Sequence, residues 1–375
     1  MARDREFDLI VVGGGIAGGA AALRAAQYLL RVLWIRGDKR TAKRSRGLWV
    51  ANIDNMIGVH EGIVRKKVLK LLRGGEYQAA RKLLADAPRM AVSSRDIIEN
   101  TVERIEAEFA DYVEVLDLAA DGARWDGDGG AFVVRCGDAE HRGAALVLAT
   151  GVMDRQPSIL KTKGGEARDE VKWIYPWANR EDILYCIRCE GHLTVIGRAA
   201  VIGYSEAAAQ LAMMLQERYG SACCLLTNGA EPEWSEESRR VLEAYGIGVH
   251  RDRITDLTGD GDGMRALQLE NGEAVEVRFA LVALGLYRVY NDLARQLGAE
   301  LADPGKPEEE RHVLIDRRGE TSVPGLFAVG DMATRADEPV MKQVYTAQEY
   351  AVRAIDSIDH RRRRRMRAAK LGTPG

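Results

Sequence analysis

DLIVVGGGIAGGAAALRAAQYLL, residues 8–30, decides the fold. Leu9 to Val12 form an unbroken apolar run, the pattern of a parallel strand buried on both faces. Three glycines follow, then a stretch rich in alanine and leucine that favours helix. Gly13, Gly15 and Gly18 therefore stand as G-x-G-x-x-G in the strand–turn–helix setting that gives the motif its meaning. Gly13 allows the tight turn, Gly15 lets a pyrophosphate approach the backbone, and Gly18 lets helix and strand pack closely. The helix N-terminus then holds the anion. The next strand, RVLWI at 31–35, would ordinarily be followed by an acid for the adenosine ribose. Position 36 is Arg, and Asp38 is the nearest substitute.

The pattern recurs at RAAVIGYSEAAAQLAMML, residues 198–215, with Gly203, Ser205 and Ala208 at the three glycine positions. Ser205 adds a side chain where a pyrophosphate should meet bare backbone. After CCLLT, the chain reads NGAEPEWSEE at 228–237, acidic where the 2′-phosphate of NADP would want Arg or Lys. A third segment, TSVPGLFAVGDM at 321–332, is a turn and a strand ending in Gly330-Asp331. A carboxylate there suits the hydroxyls of a flavin nucleotide. The helix that follows, in MKQVYTAQEYAVRAIDSI at 341–358, would turn its N-terminal backbone, around Gln343, toward the flavin ring. With LVLATG, which closes on Gly151, these segments indicate an FAD domain interrupted by an insertion. The expected class is α/β, two Rossmann-like three-layer domains with parallel sheets. Residues 1–155 plus 286–360 would form the FAD domain, 156–285 the inserted domain, and 361–375 a basic flexible tail.

Composition bounds the function. The chain has 375 residues, with 54 Lys and Arg against 56 Asp and Glu, so net charge gives no support to nucleic-acid or membrane binding. Two basic runs, RGDKRTAKRSR at 36–46 and HRRRRRMR at 360–367, read first as solvated surface and second as an anionic docking patch. The N-terminal residues pass from charges into a strand with no hydrophobic segment of signal-peptide length, and no stretch reaches a membrane span. The expected compartment is the cytoplasm, where a close cysteine pair points to redox chemistry or metal.

LYCIRCEGHL, residues 184–193, holds two of the five cysteines, Cys186 and Cys189, with Glu190 directly after the second. Zinc needs four ligands and this motif offers two, with His192 the only histidine nearby in sequence. Arg188 and Glu190 argue against an apolar niche. Redox exchange remains, in which the two sulfurs must divide the work. Cys136, in AFVVRC, and the vicinal Cys223 and Cys224 read as core residues.

GGGIAG, NIDNMIGVHEGI at 52–63, ATG at 149–151, CIRCEG at 186–191, the second turn at 203 and TSVPGLFAVGD together resemble the low-molecular-weight thioredoxin reductase family. Their order and spacing over nearly the whole chain carry the resemblance. It implies FAD, a homodimer, and electron exchange with thioredoxin or a similar dithiol protein. It implies Cys189 as the sulfur facing the flavin, Cys186 as the exchanging thiol, and Glu190 as the proton carrier, one methylene longer than the family's Asp. The departures lie in the nicotinamide half: an altered second turn, TNGAEPE in place of a basic cluster, and GLYRVYND at 285–292 in place of a proline-containing turn. NAD(P)H is therefore a doubtful cofactor. Ferredoxin is the alternative donor, docking at the basic loop, and a dithiol oxidase using oxygen or a non-catalytic flavin-binding sensor are the alternative functions.

Overall fold

The computed structural model describes residues 6–42, 46–48, 52–53, 55–56, 68–86, 92–127, 130–163, 166–178 and 181–372. Most of NIDNMIGVHEGI and the centre of the basic loop at 36–46 lie outside them. The chain forms two compact units, one of Met1–Leu48, Ser93–Met153 and Arg288–Gly375, the other of Trp49–Val92 and Asp154–Tyr287. The segment 49–92 thus groups with the second unit, where the sequence suggested the first.

In the first unit Leu9–Val12 is buried throughout and is the central strand of five. The order is Leu326–Ala328, Leu146–Leu148, Leu9–Val12, Val32–Ile35 and Val113–Leu116, every neighbour parallel. Ile10 sits between Leu146 and Leu33. Successive strand residues face opposite ways, so Leu33 and Trp34 point to different layers. Trp34 meets the helix Ile16–Gln27 at Gly18 and Gly19, and this helix packs on Ser94–Glu108 and Val344–Leu371. Ile10 meets Gly143 on the other face. Gly143 belongs to an antiparallel meander of Gly122–Asp126, Ala131–Cys136 and Ala139–Gly143. Helices, parallel sheet and meander make the three layers.

The second unit repeats the plan. Its parallel sheet runs Ile183–Leu184, Phe279–Val282, Ala199–Ile202, Cys223–Leu226, Gly248–His250. The helix Glu206–Tyr219 follows the central strand as Ile16–Gln27 does in the first unit. Its alanines, Ala208, Ala209 and Ala212, pack on Val201, Leu225 and Leu281 in one core. A three-stranded antiparallel sheet, Ile254–Asp260, Gly263–Leu269 and Ala274–Glu276, adds a further layer.

Of the expected tail, residues 361–371 are helical. The last helix runs Val344–Leu371 and stops at Gly372, whose φ of 66° gives the left-handed cap that glycine tolerates best. Arg361 pairs with Glu320 and Arg363 with Asp359 at 2.7 Å, which ties the first turn of the basic run down. Among the described residues no helix is long and apolar enough to cross a membrane.

Candidate functional site

Cys186 and Cys189 are joined as a disulfide, with their Cα atoms 5.3 Å apart. The edge strand Ile183–Leu184 ends just before them, and Cys186 is the N-cap of the single helical turn Ile187–Glu190. Its sulfur accepts the Cys189 N–H at 3.2 Å. An N–H aimed at this sulfur will favour its thiolate once the pair is reduced. Both cysteines are half-buried, and Arg188 between them is exposed.

Glu190 closes the turn from below. It is 5% exposed, and its Oε2 accepts the backbone N–H of Tyr185 at 3.0 Å and of Cys186 at 3.2 Å. The acid at the end of the motif therefore fixes the backbone at its start. Tyr185 donates its hydroxyl to Gln156 Oε1 at 2.6 Å. Burial, and then the charges of Asp154 and Glu190, push the Tyr185 phenol well above its ordinary value, so it stays a donor at neutral pH. Tyr185 touches the motif yet carries no signal in the sequence, because a tyrosine there reads as core. Gln156 lies thirty positions upstream of Cys186 and carries none either. His192 is exposed, one residue beyond Gly191.

In the first unit the glycines differ in what surrounds them. A Cβ on Gly13 would lie 2.2 Å from the Ala149 carbonyl oxygen, and one on Gly18 1.9 Å from that of Gly13. A Cβ on Gly15 would meet nothing within 4 Å. The packing of the protein forbids side chains at Gly13 and Gly18, whereas Gly15 borders open space at the start of Ile16–Gln27, which has no side-chain cap. This cradle fits a pyrophosphate. Trp34 Nε1 donates to Gly13 O at 2.9 Å and fixes the turn.

The other candidate cofactor residues occupy the same unit. Gly151 and Gly330 have φ of 73° and 74°. Asp331 pairs with Arg46 at 2.6 Å, so one member of the expected surface run is bound to a candidate site residue. Lys342 donates to the Asp331 carbonyl at 3.0 Å and to His312 Nε2. Burial, with the charges of Lys342 and Lys306, pushes the His312 imidazole down to about 4. Gln343 is the buried N-cap of the last helix. Asp38 turns inward on its own loop: its Oδ1 accepts from the Thr41 N–H at 2.7 Å and hydroxyl at 2.9 Å, and these bonds hold its carboxyl below the usual range.

The second glycine turn differs. Gly203 is required, since a Cβ there would lie 2.5 Å from the Ala283 carbonyl oxygen. Glu206 fills the first position of the helix, where its carboxylate accepts from Ser235 N at 2.7 Å, Ser238 Oγ at 2.5 Å and Gln210 Nε2 at 3.1 Å. Those donors hold its pKa down at about 2. Glu233 N donates to Tyr204 O at 2.7 Å, which stitches the acidic segment to the turn. Cys223, Cys224 and Cys136 are buried thiols, each pushed up to about 11 chiefly by burial, as inert core cysteines should be.

A family model for the pyridine nucleotide-disulphide oxidoreductases matches residues 7–351. The chain belongs to that family. It is 24% identical over 373 residues to an alkyl hydroperoxide reductase component from Xanthomonas campestris pv. phaseoli, covering 96% of this chain and 58% of that protein. It thus spans about three-fifths of the length of this curated relative. The thioredoxin reductase of Chlamydia pneumoniae is 22% identical over 356 residues, covering 93% of this chain and 97% of its own. The crystal structure of thioredoxin reductase from Streptococcus pyogenes MGAS5005 superposes with a TM-score of 0.70 at 18% identity, covering 95% and 98% of the two chains. The resemblance read from the motifs and the expected two-domain α/β fold are both borne out.

Proposed function

We propose that this chain is an FAD-dependent thiol–disulfide oxidoreductase that exchanges electrons with thioredoxin or a similar dithiol protein and uses NADPH poorly. The observation that carries the reading is the Cys186–Cys189 disulfide, half-buried, with an N–H on one sulfur and Glu190 beneath it.

Gly15 and the start of Ile16–Gln27 would hold the pyrophosphate of FAD, Asp331 its hydroxyls, and the backbone around Gln343 the ring. Bound there, the flavin supplies a two-electron carrier. The chain's own residues perform the exchange. A thiolate of the partner attacks Cys186 Sγ, a mixed disulfide forms, and Cys189 leaves as a thiolate. The partner's second thiol loses its proton and attacks its own sulfur in the mixed disulfide. The partner is oxidised to a disulfide, Cys186 is released, and the pair holds two electrons. In the reverse direction the same bonds form and break in the opposite order, and Glu190 carries the proton at Cys186.

Two features support poor use of NADPH. Glu206 is ionised at neutral pH where an incoming pyrophosphate would lie, and the segment that should bind the 2′-phosphate carries Glu231 and Glu233. Like charges lower affinity. The same features favour a second reading, a dithiol oxidase that passes the partner's electrons to oxygen.

Anaerobic stopped-flow tests the proposal. Dithiothreitol should bleach the flavin absorbance of the wild type, and Cys186→Ser should abolish this while leaving flavin bound. Bleaching that continues unchanged in Cys186→Ser would overturn it.

A further inference from the structure

We propose that the end of the last helix, Arg361 to Leu371, is a docking element for the major groove of duplex DNA, held through phosphates without sequence preference. The helix belongs to the first unit and the disulfide to the second, so this surface is built from other residues than the redox turn and goes beyond the function proposed above.

The helix Val344–Leu371 is seated on the protein only over its first half. Its buried residues run from Thr346 to Ile358, with Tyr350, Ala354 and Ile355 among them, and none follows. At about 1.5 Å per residue, about 20 Å of helix lie beyond Ile358. From Arg363 to Leu371 every residue but Ala368 is exposed.

This stretch is written against its own stability. Between Arg361 and Leu371 stand seven cations and no acid. Like charges three or four positions apart repel on a helix, and Arg361 with Arg365, Arg363 with Arg367, and Arg367 with Lys370 are such pairs. Arg361, Arg362 and Arg363 are relieved by Glu320, Asp8 and Asp359. Arg364, Arg365, Arg367 and Lys370 have no ion-pair partner among the described residues. A local rule broken without compensation inside the fold marks a functional element, and the compensation missing here is negative charge from outside.

The placement of these four cations selects the partner. At about 100° per residue they cover an arc of about 220°, more than half of the helix circumference. A flat bilayer touches one side of a helix and needs an apolar stripe there about 100° wide. The remaining arc carries Arg362 between Ala369 and Met366, and the other exposed apolar residue, Leu371, lies about 140° from Met366, so no such stripe exists. In the major groove of B-DNA, about 12 Å wide, a helix has a phosphate wall on either side. Cations spread over more than half the circumference meet both walls, and guanidinium groups grip phosphate oxygens in pairs. The near-neutral charge of the whole chain sets no bar, because salt confines the field of each group to about 8–10 Å.

The test uses the full chain as purified and a fluorescein-labelled DNA duplex of mixed sequence, read by anisotropy. Affinity should fall roughly 100-fold between about 0.05 M and about 0.2 M salt, the dependence that four neutralised phosphates set. Arg364→Gln, Arg365→Gln, Arg367→Gln and Lys370→Gln together should weaken binding at low salt by roughly tenfold or more and flatten that dependence, with a thermal midpoint no lower than wild type. Lys39→Gln with Arg40→Gln, exposed cations of the other basic run, should bind as the wild type does. A wild type that leaves the duplex free at low salt would overturn the proposal, as would a quadruple variant that binds undiminished or an equal loss in the Lys39 and Arg40 variant. A single strand of the same length that binds as tightly as the duplex would overturn the groove. Phosphatidylserine vesicles that bind more tightly than the duplex at equal phosphate concentration would overturn DNA as the partner and assign the helix to a membrane surface.

Discussion

Gly15 and Gly18 stand three positions apart in one motif, yet the structure gives them opposite sensitivities. A side chain at Gly18 collides with the Gly13 carbonyl, whereas one at Gly15 projects into open space. Gly18→Ala should therefore destabilise the fold by about 2 kcal/mol or more, as overpacking does. Gly15→Val should keep the thermal midpoint within a few degrees, of the order set by less than about 1 kcal/mol, and should purify with little flavin. Thermal unfolding read beside the flavin-to-protein absorbance ratio separates the two, and a Gly15→Val protein that retains full flavin would refute the cradle. Glu190 divides in the same way. Glu190→Gln keeps an oxygen for the Tyr185 and Cys186 N–H groups but cannot carry a proton. Its stability should match wild type, while dithiol exchange slows by roughly 100-fold. Glu190→Leu should also lose about 2 kcal/mol, because two buried N–H groups lose their acceptor. A Gln variant as fast as wild type would leave Glu190 a positioning role only. The glycine spacing and the C-x-x-C-Glu string were readable because each is local in sequence. Arg46 on Asp331 and Tyr185 on Gln156 were not, since folding alone brings such residues together.

At the scale of elements, the link between the strand Leu326–Ala328 and the last helix gathers Asp331, Lys342 and His312. The imidazole accepts from the Lys342 ammonium, which requires its neutral form. Burial first, and then the charges of Lys342 and Lys306, lower its pKa from 6.5 to about 4, and the folded state binds this proton less readily than the unfolded chain. The contribution to stability is complete above pH 6.5 and is lost progressively as pH falls toward 4. Urea unfolding at about pH 7 and about pH 4.5 should show a drop for the wild type that His312→Gln reduces. An identical drop in the variant would mean that the carboxylates account for all of it. The last helix shows where element reading fails. HRRRRRMR reads as a frayed end because like charges repel, but Arg361 finds Glu320 forty-one positions away, and only the left-handed Gly372 cap is written locally.

Over the whole molecule, two copies of one strand–turn–helix plan have diverged in opposite senses. The repeat was legible because it rests on local periodicity and glycine placement. The grouping of 49–92 with the second unit was not, because no local pattern there declares its neighbours. What the copies do also follows from side chains that the repeat itself does not specify. The first turn opens on bare backbone at Gly15. The second has Ser205 at the matching position, followed by Glu206, whose carboxylate accepts from Ser235 N and Ser238 Oγ. Stoichiometric NADPH, added anaerobically to the flavin-loaded chain, should therefore reduce it far more slowly than dithiothreitol does. Replacing Ser205 by Gly together with Glu206 by Asn removes both the side chain over the pyrophosphate and the charge beside it, and should speed reduction by NADPH by roughly tenfold, the equivalent of about 1.4 kcal/mol. NADH avoids the clash of Glu231 and Glu233 with a 2′-phosphate, so in the same double variant it should gain at least as much. If the unaltered chain is reduced by NADPH within seconds, the second turn is a working nucleotide site, and Glu206 is a capping residue that the cofactor tolerates.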